Sequence, residues 1–328
     1  MRAIRQYELG GPETLRYDEV DDPRPGEGQV RVVVHAAGVH VIDTSIRRGG
    51  GFGPPPQLPM TPGREVAGVI DALGPHVEGA LLGRRVVGHL GDANGGYASM
   101  AVADVGALIA LADHVGFAEA VAMVGTGRTT LGILEAAAPQ ADDVVVITAA
   151  AGGIGALLVQ AIHRRGATVV GAAGSAPKAR IAEEQGADVG VDYSIDGWAD
   201  EVRARLDGRA VTLALDGVGG PIGRAAFELV GPRGRMVLYG FASGEPMTLG
   251  VGDLFARGVT VSAAIGARVA SRPGGLHDLS VQALDELAAG RLQPLIHPPF
   301  ELADAADAHR AIEARATTGK VVLVPADG

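Results

Sequence analysis

Val144-Val-Val-Ile-Thr-Ala-Ala-Ala-Gly-Gly-Ile-Gly155 decides the reading of this chain. Its first four residues are a continuous apolar run, the pattern of a parallel strand covered on both faces. Gly152, Gly153 and Gly155 then permit a sharp turn and a close backbone approach to a pyrophosphate. With Ile154 they open a helix predicted over residues 154–165, whose first-turn amides and positive dipole end suit phosphate oxygens. A lone glycine-rich turn is weak evidence, since any tight strand-to-helix turn has the same composition. Its surroundings strengthen it.

Ala167-Thr-Val-Val-Gly171 supplies a second strand after a crossover of the length a βαβ unit needs. An NAD-binding chain usually carries Asp or Glu at the end of that strand, accepting hydrogen bonds from the ribose 2′-hydroxyl. Here the segment reads Gly171-Ala-Ala-Gly-Ser-Ala-Pro-Lys178, and the first acid is Glu183. A carboxylate would repel a 2′-phosphate, whereas the Ser175 hydroxyl and the Lys178 ammonium would hold one. The expected cofactor is therefore NADPH. Of the 28 basic residues only two are lysines, Lys178 and Lys320, and one of them stands where a compact cation would meet that phosphate.

Composition narrows the function classes. A chain of 328 residues is long enough for two domains, each with its own core, and 47% hydrophobic with 20% charged residues is ordinary for a globular protein. A formal charge of −10 with no basic tail argues against nucleic-acid and anionic-membrane partners. There is no cysteine, which removes disulfides, thiolate nucleophiles and cysteine-based zinc sites. Met1-Arg-Ala-Ile-Arg-Gln-Tyr7 is strand-like and lacks an apolar signal region, and no run of eighteen apolar residues occurs. The expected location is cytoplasmic.

The chain divides by pattern. Short strand-like pieces at 29–36, 66–73, 85–88 and 96–102, separated by Gly, Pro and Asp turns, predict a mainly β region. From about Phe117 helices and strands alternate. Candidate strands at 144–147, 168–171, 189–191, 212–215, 235–239 and 260–263 predict an α/β, doubly wound parallel sheet. Amphipathic helices near 279–289 and 303–316 and a last strand at 321–324 are expected to rejoin the first domain. The predicted division is thus residues 1–118 with 265–328, and 119–264. Gly49-Gly-Gly-Phe-Gly-Pro-Pro-Pro56 is a low-complexity loop, either a lid or an idle surface loop.

With these stretches in view, the chain resembles the zinc-independent quinone oxidoreductases of the medium-chain dehydrogenase/reductase superfamily over nearly its whole length. The likeness runs through Gly38-Val-His-Val-Ile-Asp-Thr44, Pro62-Gly-Arg-Glu-Val-Ala-Gly68 and the Ala149-x-x-Gly152-x-x-Gly155 fingerprint. It continues through Gly186-Ala-Asp-Val-Gly-Val-Asp-Tyr193, Leu215-Asp-Gly-Val-Gly219 and residues 234–244, and ends in His309-x-x-Ile312-Glu-Ala-Arg-Ala-Thr-Thr-Gly-Lys320. The resemblance implies a Rossmann domain that binds NADPH beside a GroES-like catalytic domain. Ser175, Lys178 and Tyr193 look like the family's contacts to the adenosine 2′-phosphate, Tyr193 having also the plain reading of a strand-end aromatic. Arg315 resembles a terminal arginine reaching the same end of the cofactor, and Lys320 of the closing motif is counted among the cofactor-binding residues. Gly152, Gly153, Ile154 and Gly155 correspond to the pyrophosphate turn. Thr129 and the Phe241, Ala242, Ser243 turn match segments beside the nicotinamide.

Departures from the family pattern bear on the chemistry. Zinc-dependent relatives carry Gly-Val-Cys and Gly-His-Glu where this chain has His40 and Arg64, and an arginine stays protonated and binds no zinc. No metal is expected. Quinone reductases usually carry Asn at the His40 position, near the nicotinamide. Asn hydrogen-bonds only, whereas His also transfers a proton near neutral pH. His40 is thus either a proton donor or a cofactor contact. Family tyrosines after Ile-Asp-Thr are replaced by Ser45 and the glycine loop, with Phe52 the only aromatic left.

The implied activity is NADPH-dependent hydride transfer to quinones or α,β-unsaturated carbonyl compounds. Two enzyme rivals fail: an alcohol dehydrogenase lacks its Lewis-acid ligands, and a short-chain dehydrogenase lacks a Tyr-x-x-x-Lys pair, since Gly174 and Ala316 precede the two lysines. A non-catalytic NADPH-binding protein of the same fold stays open. Strand 259–263 at the sheet edge is expected to pair with its twin in a homodimer.

Overall fold

The computed structural model describes residues 1–51 and 55–326; residues 52–54 of the glycine-rich loop read as a lid, Phe52 among them, lie outside the described residues. In chain order the strands are β1 (Arg2–Gln6), β2 (Leu15–Glu19), β3 (Gln29–Val39), β4 (Glu65–Leu73), β5 (Arg85–His89), β6 (Met100–Asp104), β7 (Leu108–Ala110), β8 (Val144–Thr148), β9 (Thr168–Ala173), β10 (Val189–Asp192), β11 (Val211–Asp216), β12 (Val230–Leu238), β13 (Thr260–Ala263), β14 (Phe300–Glu301) and β15 (Val321–Val324). The α-helices used below are α1 (Val41–Arg47), α2 (Phe117–Ala122), α3 (Arg128–Ala137), α4 (Gly153–His163) and α5 (Ala176–Glu184). They are followed by α6 (Trp198–Arg205), α7 (Gly220–Leu229), α8 (Val251–Arg257), α9 (Ala267–Ala270), α10 (Gly275–Ala288) and α11 (Ala305–Glu313). The chain forms two compact units, residues 1–126 with 280–328, and residues 127–279.

The first unit is mainly β. Its seven-stranded sheet runs β14-β15-β3-β4-β5-β7, with β6 also on β3, beside the two-stranded β1-β2 pair. In β3 the period-two alternation is visible: Val30, Val32 and Val34 are buried while Gln29 and Arg31 face out, Arg31 forming a forked bond to Asp71 of β4. Helix α1 escaped the sequence reading because Val41-Ile-Asp-Thr has strand-like composition. Asp43 decides it: its carboxylate accepts the His40 N–H at 2.8 Å, satisfying the amide just ahead of the first turn.

Beneath α1 lies a buried polar chain. Arg47, 1% exposed, donates through Nη1 to His309 Nδ1 at 2.9 Å, and through Nη2 to Glu313. His309 Nε2 lies 3.2 Å from the Tyr97 hydroxyl, which donates to Asp43 Oδ2 at 3.0 Å. Because a guanidinium only donates, Nδ1 is the acceptor and Nε2 carries the proton of a neutral ring. Burial first, then Arg47 and Arg48, push the His309 pKa down to about 3. An unfolded histidine titrates near 6.5, so its contribution to stability is complete above that pH and is lost as pH falls toward 3. A loss of about 2–3 kcal/mol between about pH 6.5 and pH 4.5 is expected from this residue. Urea midpoints across that range should fall for the wild type and flatten in His309→Gln.

The second unit is a six-stranded sheet in the order β10-β9-β8-β11-β12-β13, every neighbouring pair parallel. This is the doubly wound order whose direction reverses between β8 and β11. All five residues of β8 are buried, as its apolar run requires. Strand β12 begins at Val230, well before the expected 235. Gly231-Pro232-Arg233 reads as a turn, but the ladder with β11 takes it in through a register shift between Val211 and Leu213. The core packs Val146, Val170, Ala214, Phe227 and Met236.

Candidate active site

In the second unit the candidate nucleotide site collects at the carboxyl ends of the strands, beginning at the β8–β11 reversal. After Thr148 the chain turns through Ala149, whose φ of 51° lies in the left-handed region. Gly152 caps α4 in extended conformation and its N–H bonds Ala149 O at 2.9 Å. A Cβ on Gly155 would stand 2.2 Å from Ala149 O and 2.8 Å from Ala150 Cα, contacts that backbone cannot relieve. Only glycine therefore lets α4 start this close to the turn. With Gly153 and Ile154, half-exposed, the first turn of α4 offers its amides to an anion, so the residues present fit a pyrophosphate.

Ser175 and Lys178 stand at the next strand end. Ser175 is the N-cap of α5, its Oγ accepting the Lys178 N–H at 3.4 Å. Tyr193 follows β10, its N–H bonded to Ala173 O at 2.9 Å. A Cβ on Gly174 would meet the Tyr193 hydroxyl at 3.4 Å, so the phenol lies against the end of β9. Three of the expected 2′-phosphate contacts are thus gathered at the ends of β9 and β10. The first acid beyond β9, Glu183, is turned away, accepting the Gly190 N–H at 2.9 Å.

A lock that the sequence reading missed joins the β8 and β11 ends. Asp216, 1% exposed, accepts from the Thr148 hydroxyl at 2.6 Å, from Val218 N–H at 3.0 Å and from Gly219 N–H at 3.1 Å. Thr148 Oγ1 in turn accepts the Gly217 N–H at 3.1 Å, and the Tyr239 hydroxyl donates to Thr148 O at 3.1 Å. The expected nicotinamide segment hangs on this turn: Ala242 N–H bonds Gly217 O and Ser243 N–H bonds Val218 O, each at 2.9 Å, and Phe241 is 47% exposed. Thr129 lies in the first turn of α3.

The first unit holds the other candidates. His40 and Lys320, 280 positions apart in the chain, meet at 2.7 Å between Nε2 and Nζ. Between them sits Glu65, the first residue of β4 and fully buried, which no sequence signal marked beyond its place in the Pro62–Gly68 stretch. Its Oε2 accepts from Lys320 Nζ at 2.7 Å and its Oε1 lies 2.7 Å from His40 Nε2. Burial alone would raise the Glu65 pKa; a positive charge on His40, when its ring is protonated, and the Lys320 ammonium oppose burial and place it below the usual carboxylate range. The glycines Gly38 and Gly125 make the space, since a Cβ would fall 2.1 Å from Oε2 at the one and 1.6 Å from Oε1 at the other. Arg315 lies apart from this cluster, exposed just past α11 with φ 53°. Arg64 donates to Gly91 O at 3.1 Å and toward Asp92. Among the described residues no group of three or more His, Cys, Asp or Glu is arranged to hold a metal ion.

Known proteins match this geometry along the whole chain. Residues 26–127 match the model of the alcohol dehydrogenase GroES-like domain, and residues 153–282 that of the zinc-binding dehydrogenase family. A quinone oxidoreductase of Pseudomonas aeruginosa is 33% identical over 99% of this chain and 99% of its own. A 2-haloacrylate reductase of a Burkholderia species is 31% identical over 97% of each chain. The crystal structure of Escherichia coli quinone oxidoreductase complexed with NADPH superposes with a TM-score of 0.88 at 29% identity, covering 99% of this chain and 100% of that one. A glycine turn at the β8 end, a 3-2-1-4-5-6 parallel sheet and full-length likeness to named reductases lead to one assignment: the chain belongs to the quinone oxidoreductase branch of the medium-chain dehydrogenase/reductase superfamily.

Proposed function

We propose that this enzyme reduces quinones or α,β-unsaturated carbonyl compounds with NADPH, and that His40 supplies the proton accompanying hydride transfer. The observation that carries the cofactor reading is the end of β9, where Ser175, Lys178 and Tyr193 gather and Glu183, the first acid beyond the strand, is taken up by the Gly190 N–H. The glycine turn before α4 would take the pyrophosphate, Thr129 and Phe241–Ser243 would lie along the nicotinamide, and Arg315 would reach the adenosine end. When bound, NADPH supplies a hydride from C4 of its nicotinamide. The chain's own task is positioning the acceptor and delivering a proton, and positioning alone is worth about 7–11 kcal/mol when a near-attack geometry is held. His40 suits the second task because its ring is 24% exposed while its Nε2 edge is fixed by buried partners. The proposal includes a cytoplasmic location, where NADPH is supplied. No described helix is long and apolar enough to cross a membrane.

Lys178→Ala is expected to weaken NADPH by about 10–150-fold, the value of a lost charge-assisted hydrogen bond of about 1.5–3 kcal/mol. NADH binding should be unchanged, and equal losses for both nucleotides would remove Lys178 from the phosphate site. The reading of function is tested by NADPH consumption with a simple quinone and, separately, an enone. Turnover of either supports it and names the substrate class. NADPH bound tightly with neither acceptor reduced would favour a non-catalytic binding protein.

We also propose a homodimer. Strand β13 is the last of its sheet and pairs only with β12 among the described residues, and α8 just before it exposes Val251 and Phe255. A second copy of β13 would continue the sheet and cover them. A monomeric mass in solution contradicts this.

A further inference from the structure

His40 Nε2 has two neighbours at the same distance that make opposite demands. Lys320 Nζ at 2.7 Å has only protons to give, so Nε2 must accept. Glu65 Oε1 at 2.7 Å has only lone pairs, so Nε2 must donate. One nitrogen cannot do both at once. With Lys320 an ammonium, Nε2 accepts and the ring's proton resides on Nδ1. Glu65 Oε1 lies at hydrogen-bond distance from Nε2 but out of line with it, and accepts no hydrogen bond among the described residues. The aligned contact is the one to Lys320, and it fixes the tautomer that carries its proton on Nδ1. The two partners of Nε2 are buried, Glu65 being 0% and Lys320 4% exposed, while the His40 ring is 24% exposed and no side-chain bond to Nδ1 is found among the described residues.

We propose that Lys320, Glu65 and His40 form a proton relay, in which Lys320 reloads Nε2 as His40 gives up the Nδ1 proton to the reduced substrate. The relay rests on the reductase reading above. The acceptor, once it has taken the hydride, carries an anionic carbon or oxygen. The Nδ1–H bond breaks toward that atom while a proton passes from Lys320 Nζ to Nε2. The ring stays neutral, Lys320 becomes a neutral amine, and the new Nε2–H is left beside the ionised Oε1 of Glu65. A solvent proton taken up at Nδ1, with return of the Nε2 proton to Nζ, restores the first state. No imidazolium forms in the delivering step, and Glu65 stays ionised throughout. The other groups facing the cluster are His89 of β5, paired with Glu65 in register, Asp43 of α1, whose carboxylate holds the His40 backbone amide, and Tyr97. Glu65 and Lys320 are positioning and reloading residues, acting on substrate only through His40.

Lys320→Arg tests the relay. Arginine keeps the positive charge and the bond to Glu65 but does not release its proton. The expected result is a fall in kcat on the order of 100-fold or more, measured at saturating NADPH. His40→Asn should cost as much, and the double variant little more than either, because all three residues act as a unit. A wild type that turns over beside a Lys320→Arg variant with full kcat overturns the relay alone. A wild type that reduces neither a quinone nor an enone overturns the reductase reading with it. Nitrogen-15 NMR of the His40 ring in the unaltered protein gives a second readout that needs no variant. A neutral ring protonated at Nδ1 at neutral pH is expected, and a proton resting on Nε2, or an imidazolium, overturns the proposal.

Discussion

Asp216→Ala is expected to destabilise the protein by about 3–5 kcal/mol and to weaken nucleotide binding with it. The carboxylate is buried at the reversal point of the sheet and satisfies three donors: the Thr148 hydroxyl, Val218 N–H and Gly219 N–H. Each buried donor left without a partner costs about 1–3 kcal/mol, and the three costs overlap because one entering water can serve more than one of them. The loss also reaches the binding site. Gly217 O and Val218 O anchor Ala242 and Ser243, so a loosened turn at 216–219 releases the segment proposed to lie along the nicotinamide. Asp216→Asn should lie between, because one of its two side-chain positions becomes a donor facing a donor. Denaturant unfolding and NADPH titration of the three proteins check the order. An Asp216→Ala variant with wild-type stability would mean that the lock is decoration.

Lys320→Met is expected to cost a similar amount, about 3–5 kcal/mol, for a different reason. The substitution leaves Glu65, 0% exposed, as a buried carboxylate without its ammonium. The sign of its pH dependence follows from Glu65. In the wild type its pKa is depressed, so the pair's contribution is complete above the unfolded carboxylate pKa and is lost as pH falls through the folded one. In Lys320→Met the carboxylate loses a main cause of that depression. The deficit relative to wild type should therefore shrink in acid, where Glu65 takes a proton and no longer needs a partner. Glu65→Gln in the same background should recover much of the loss at neutral pH, because it removes the charge rather than the shape. Urea midpoints of the single and double variants at neutral and acid pH test this, and a deficit independent of pH would contradict it.

What was legible in the sequence follows the range of the interactions. The β8 strand, the turn before α4 and the end of β9 are local: an apolar run, three glycines and a missing acid can each be read within a window of thirty residues. The parallel sheet was legible because its strands are buried on both faces and announce themselves as apolar runs. Helix α1 was not, since it depends on one carboxylate, Asp43, bonding a backbone amide against the preference of β-branched neighbours. The start of β12 was hidden for the converse reason, a Gly-Pro pair absorbed into a ladder by a register shift. Least legible was Glu65. Its meaning is set by Lys320, 255 positions away, and by two glycines whose missing side chains leave room for its oxygens. His40 and Lys320 were singled out separately, one as a departure and one as part of a terminal motif. Their 2.7 Å contact turns two isolated notes into one cluster. Asp216 had a similar fate, a strand-end acid beside glycine that could equally have been solvated.

The proposed activity is transfer of a hydride from C4 of NADPH to an electron-poor acceptor. The most direct test is the rate at which the nicotinamide absorbance decays in a single turnover, measured with ordinary NADPH and with NADPH deuterated at both C4 positions. The account predicts decay with a quinone or an enone, and a markedly slower decay for the deuterated form, because the C4–H bond breaks in that step. Tight binding without decay, or decay at one rate for both forms, would contradict it.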